Sequence, residues 1–110
     1  MKLRITDEAK KKLEDMKDPG RPIIRLYYDT EGCGCGVNGL PTIRFTDQIL
    51  NTDNLVVNAE YKVIIDHQQA TFFKPDMKLD FIKNSFRLSS PDGILNPIIS
   101  PKDVKEGEAV

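Results

Sequence analysis

The chain has 110 residues, 39% hydrophobic and 30% charged, with a formal net charge of −1. That length supports one domain with a modest core, and the intermixed charges contain no basic run, so nucleic acid is not an expected partner. Two cysteines are too few for a framework of structural disulfides. The start lacks the apolar stretch of a signal peptide and no segment approaches membrane-spanning length. The cytoplasm is therefore the expected compartment, where thiols stay reduced unless they bind metal or do redox chemistry.

In chain order, Thr6 is placed to cap a helix over "DEAKKKLEDMK", with Asp7 and Glu8 at the positive end of its dipole. Ala9, Leu13 and Met16 fall at helical spacing and form its apolar stripe. "DPG" at residues 18–20 ends it, and "PIIRLYYD" follows as a strand rich in β-branched and aromatic residues. The glycine-rich stretch "DTEGCGCGVNG" then leads to "LPTIRFTDQ", a second strand expected to pair with the first as a hairpin.

Beyond the polar turn "NTDN", "LVVNAEYKVIID" supplies one or two short strands. "HQQATFFK" fits a helical turn or an extended segment, and Pro75 interrupts it. "MKLDFIK" alternates, placing Met77, Leu79 and Phe81 on one strand face, and "SFRLSS" is a further strand. Residues 94–99 are expected to dock through Leu95, Ile98 and Ile99, with Pro97 and Pro101 keeping the segment out of a helix and limiting ladder bonds. From about residue 102 the composition predicts a solvated, mobile tail. The expected division is a domain over 1–101 and a tail over 102–110. One helix followed by short strands, without the strand–helix alternation of a parallel sheet, describes a mainly β (α+β) domain.

The chemistry concentrates at Cys33 and Cys35. Two cysteines at i and i+2 in an extended stretch can present both sulfurs to one side, and soft thiolates select zinc, copper(I) or iron–sulfur iron. Structural zinc and common iron–sulfur clusters take four protein ligands, twice what one chain offers. A two-fold dimer would bring four thiolates together, two for each iron of a [2Fe–2S] cluster. A redox dithiol and a loop with incidental thiols remain alternatives; redox motifs more often space the pair as Cys-x-x-Cys.

"IIRLYYDTEGCGCG" resembles the first conserved segment of the HesB-like, IscA-type family of iron–sulfur cluster biogenesis proteins, with Thr30, Gly32 and Cys33 matching its pattern. "VIIDHQQATFF" and "LDF" are similar to the family's next segments. "SFRLSSPD" is similar to its Gly-Phe-x-aromatic-x-Asn-Pro-Asn stretch, with Phe86 and Pro91 retained. The resemblance spans roughly residues 3 to 100. It implies a pseudobarrel of two small mixed sheets with an N-terminal helix, often a homodimer, that carries iron or a [2Fe–2S] cluster between the assembly machinery and apoprotein clients. Cys33 and Cys35 would be the cofactor and metal ligands, and no catalytic residues are implied. The family's C-terminal Cys-Gly-Cys would fall near Pro97 and Ile99, where this chain has no thiol. That departure keeps open a cofactor-free interaction module of the same fold, or a thiol redox protein.

Other donors have plainer readings. His67, the sole histidine, is expected as a solvent-facing turn residue, although Asp66 beside it would suit the orientation of a ligating imidazole. Asp29 and Glu31 flank the thiols as possible oxygen donors, and Asp103, Glu106 and Glu108 are the first candidates if the tail contributes ligands. Acidic neighbours do not lower a thiol pKa, which argues against a thiol nucleophile without a metal. Phe72 and Phe73 are adjacent, so one is expected in the core and the other at a partner surface. No Ser–His–Asp arrangement, phosphate loop or catalytic carboxylate pair is visible, and no enzyme activity is expected.

Overall fold

A computed structural model of the chain describes residues 1–29 and 39–106. In chain order they form β1 (Lys2–Ile5), α1 (Asp7–Met16), β2 (Ile23–Asp29), β3 (Leu40–Thr46), β4 (Asp53–Val56) and β5 (Val63–Asp66). A 3-10 turn (Gln69–Phe72), β6 (Asp76–Ile82), β7 (Ser85–Ser90), β8 (Gly93–Ile99) and α2 (Pro101–Glu106) follow.

Two four-stranded sheets result, ordered β1-β6-β7-β8 and β3-β2-β5-β4. Both are mixed: β1 runs parallel to β6 and β2 parallel to β5, and the other neighbours are antiparallel. The sheets meet along two flanks. On one, the Leu3 N–H donates to the Val57 carbonyl and the Val57 N–H to the Met1 carbonyl, each at 3.0 Å. On the other, Asn96 of β8 donates from Nδ2 to the Pro41 carbonyl of β3 at 2.8 Å. Exposed strand edges invite pairing with other chains, and these contacts close the outer edges of β1 and β3 into a pseudobarrel.

Alternation along each strand sends one face inward. Ile24 and Leu26 of β2 meet Ile43 and Phe45 of β3, and Leu79, Phe86 and Leu88 approach from the other sheet. Helix α1 packs beside β6 and sends Ala9, Leu13 and Met16, the stripe read from spacing, into the core. Thr6 caps it by accepting the Ala9 N–H at 3.2 Å and donates its hydroxyl to Asp80 Oδ1 at 2.9 Å, which ties the helix start to β6.

The mainly β class, the two mixed sheets and the N-terminal helix agree with the expectation, as do the β2–β3 hairpin, β5, β6 and β7. "HQQATFFK" resolves as a turn and the 3-10 segment, with Phe73 buried and Phe72 exposed. The C-terminal region differs. Residues 94–99 dock as a strand, β8, through Leu95 and Ile99, but Ile98, expected to dock with them, faces solvent alongside Ile94. Pro97 is tolerated because β8 lies at the end of its sheet order, and its ladder to β7 is irregular between Phe86 and Ser89. The solvated tail expected from residue 102 does not describe residues 101–106, which form α2 and bury Val104 completely. Pro101 starts that helix at the position where a missing N–H costs nothing and φ is already suitable. Residues 107–110 lie outside the described residues.

Candidate functional site

Cys33 and Cys35, with Thr30, Glu31 and Gly32, fall within 30–38 and so lie outside the described residues. The structure does describe the platform that carries them. Asp29 and Leu40 are cross-strand partners at the end of the β2–β3 ladder, so the cysteine segment leaves and returns at one point.

Gly39 closes that segment. A Cβ there would lie 2.6 Å from the Asp29 carbonyl oxygen and 2.7 Å from the Tyr28 ring, distances real side chains do not show. Its N–H donates to Tyr28 Oη at 2.9 Å. Tyr28 in turn donates its backbone N–H to Gln69 Oε1 at 3.0 Å, and its ring stacks on Phe72 with centroids 3.8 Å apart and 9° between planes. The 3-10 turn after β5 therefore braces the hairpin end from one side.

The other side is built by β8 and α2. Asp29, Leu40 and Thr42 line a small cavity of about 220 Å³ together with Asn96, Ile98 and Asp103. Asn96 is buried and holds the Pro41 carbonyl, while its Oδ1 accepts the Ile98 N–H at 3.2 Å. The stretch that carries the second thiol pair in the resembled family thus sits at the base of the cysteine hairpin. Here its residues act in packing, with Ile99 buried in the core. Asp103, an expected tail donor, is placed at this base, and the Glu106 side chain and Glu108 lie outside the described residues.

The outer face of the β2–β3 ladder carries charge. Arg25 is bidentate to Asp53, both contacts at 2.7 Å, with both side chains almost wholly buried. Asp53 also accepts the Leu50 N–H at 2.7 Å. The Arg25 hydrogen bonds hold the Asp53 carboxyl below the usual carboxylate range, against the effect of burial, with the Leu50 N–H adding to them. Arg44 lies over the Tyr27 ring at 4.7 Å. Burial pushes the Tyr27 hydroxyl up, assisted by the Asp29 and Asp103 carboxylates and opposed by Arg44.

His67 is exposed in the turn after β5, where its N–H donates to the Thr52 carbonyl at 2.9 Å. Asp66 is engaged locally, accepting from the Thr52 hydroxyl at 3.0 Å and the Gln68 N–H at 2.8 Å. Among the described residues no three His, Cys, Asp or Glu side chains converge on a point that would hold a metal. No described helix is long and apolar enough to cross a membrane.

Sequence reasoning missed Gly39 as a steric requirement, Gln69 as a brace and the Arg25–Asp53 pair. The glycine at the C-terminal edge of the cysteine segment was a visible signal for the first. The other two depend on contacts across 41 and 28 positions, which no local pattern encodes.

Together these features define a class: a two-sheet pseudobarrel with a braced β2–β3 hairpin whose strands are joined by a segment that is glycine-rich and Cys-x-Cys in sequence. Residues 1–102 match the iron–sulphur cluster biosynthesis family. YqkB of Bacillus subtilis, an uncharacterized protein, is 33% identical over 104 residues, covering 91% of this chain and 96% of YqkB. A Lactobacillus acidophilus protein assigned to Fe–S biosynthesis has a similar structure, with TM-score 0.72 and 20% identity over 97% of this chain and 96% of its own. IscA, crystallised with a [2Fe–2S] cluster, is similar at TM-score 0.62 and 17% identity over 88% of this chain and 98% of IscA. The chain belongs to the iron–sulphur cluster biosynthesis family.

Proposed function

We propose that this protein is a non-catalytic carrier or assembly factor that holds iron or a [2Fe–2S] cluster as cargo through Cys33 and Cys35, within a homodimer. Its partners would be the iron–sulfur assembly machinery and apoprotein clients, and reduced thiols fit a cytoplasmic setting. The observation that carries the reading is the base of the hairpin. It is braced on both sides, by Tyr28–Phe72 and by β8, so its exit and return points are fixed while the segment between them contains both thiols.

One chain then supplies two soft ligands where a [2Fe–2S] cluster takes four. An isologous dimer supplies the other two. Leu40, Phe72 and Ile98 surround the hairpin base with large apolar side chains left 51%, 45% and 70% exposed. Such a rim suits a second copy.

Anaerobic reconstitution with iron and sulfide tests this reading. Wild type is expected to gain visible absorption and acid-labile sulfide with the mass of a dimer. Equal and negligible cluster content in wild type and in Cys33→Ala/Cys35→Ala would sink it. A second reading, an interaction module that kept the fold and lost the cargo, draws on the packing role of Ile99 where relatives of the resembled type carry a thiol. On that reading the double cysteine variant recovers the same partners as wild type. A thiol redox protein is the third reading, and a dithiol potential far from the cytosolic glutathione range would reject it.

A further inference from the structure

The sheet β1-β6-β7-β8 turns Leu3, Met77, Leu79, Phe86 and Leu88 toward the core, so the residues that alternate with them face outward. Those outward residues include Lys2 and Arg4 on β1, Lys78 on β6 and Arg87 on β7. No ion pair engages any of these four among the described residues. Lys2, Arg4 and Lys78 line a groove of about 510 Å³ with Asp76, Ser89 and Ser90.

Two details make this face more than a solvated surface. Arg4 and Lys78 are direct cross-strand partners, and like charges placed opposite one another oppose sheet formation. Secondly, the Arg87 Nε–H is buried without an acceptor, an arrangement native structures generally avoid. The carboxylate opposite it, Asp80, directs Oδ1 to the Thr6 hydroxyl and the Phe81 N–H instead. Two carboxylates share the face, Asp76 opposite Lys2 and Asp80 opposite Arg87, so four cations stand against two acids and leave a local positive excess in a chain whose net charge is −1.

We infer that this face docks an acidic polypeptide segment of a partner protein. Ile94, exposed and paired with Ser89 at the edge of the same face, adds an apolar contact that a peptide side chain can meet and a phosphate backbone cannot. The face belongs to the sheet that does not contain β2 and β3, the strands that flank the cysteine segment.

Fluorescence anisotropy of the full chain with a labelled glutamate-rich peptide carrying one central leucine tests the inference. Wild type is expected to bind at low salt and to release the peptide as ionic strength rises. Arg4→Glu/Lys78→Glu is expected to weaken binding by about tenfold or more, while Lys11→Glu/Lys62→Glu, with the same change in net charge, is not. Equal losses in the two variants, or tighter binding of a DNA duplex or phosphatidylserine vesicles than of the peptide, would overturn the proposal. Arg4→Gln alone removes the like-charge opposition and is expected to raise Tm; a lowered Tm would refute the claim that the face is held against its own repulsion. Cys33→Ala/Cys35→Ala is expected to bind the peptide as wild type does, so failure of the cluster reading and failure of this one remain distinguishable.

Discussion

Asp53→Asn is expected to be among the most damaging conservative substitutions in this protein. The Arg25 guanidinium is almost fully buried and is neutralised by one carboxylate, through two hydrogen bonds of 2.7 Å. An amide keeps the size of the side chain, removes its charge, and turns an N–H group toward a guanidinium that has only donors to offer. Removing one partner of a buried pair costs about 3–5 kcal/mol, because the remaining charge is left uncompensated. Against the roughly 5–15 kcal/mol that holds a domain of this size together, that is a large fraction. It corresponds to a fall in Tm of roughly 10–30 °C. Urea denaturation of wild type, Asp53→Asn, Arg25→Met and the double variant gives the coupling energy directly. The pH dependence supplies a second check. Asp53 has a depressed pKa in the folded protein, so its stabilising contribution is present above the ordinary carboxylate pKa and is lost as pH falls through the folded value. Asp53→Asn should lose that part of the acid dependence. A loss below about 1 kcal/mol, the range of exposed surface pairs, would refute the reasoning.

Two further predictions follow from the hairpin base and its C-terminal wall. Val104→Ala is expected to cost about 1.5–2.5 kcal/mol in chemical denaturation, two buried carbons at roughly 0.8 kcal/mol each with a cavity term added; a loss under about 0.5 kcal/mol would mean that α2 does not hold the core. Gly39→Ala is expected to cost about 1–3 kcal/mol, because the new methyl meets the Asp29 backbone and the Tyr28 ring. It should also lower cluster loading at unchanged cysteine content, and unchanged Tm and loading together would contradict the steric account.

The parts of this fold that were legible share one property: their signal is local. The Ala9–Leu13–Met16 stripe, the Thr6 cap and the Met77–Leu79–Phe81 alternation repeat within a turn or two of chain, and the structure contains each of them. What escaped depends on distant partners. Lys2–Ile5 alternates like a strand but has only four residues, and its standing as β1 comes from pairing with β6 and from the contact at Val57. Polar spacing in "PKDVKEGEAV" concealed Val104, a single apolar residue that becomes buried only because α2 folds back against β3. At the site, the thiols and the glycine-rich character around them were visible at once. The supporting shell of Tyr28, Gln69, Phe72 and Asn96 was not, because each acts through a residue far away in sequence.

The parallel pairing of β1 with β6 has a bearing on how the protein is made. During synthesis β1 leaves the ribosome well before its ladder partner β6 and before the Val57 contact that seals its other edge. The β2–β3 hairpin, whose strands are joined by the cysteine segment itself, needs no such delay to pair. Local contacts of this kind form before distant ones, since closing a long loop carries a larger entropic cost. The strands flanking the thiols can therefore meet while the core is still incomplete and α2, which completes the wall beside them, has yet to be translated. Nascent chains would pass through a stage with paired hairpin strands and no pseudobarrel around them. The base of the earlier-made hairpin is thus complete only once the later-made β8 and α2 have packed beside it.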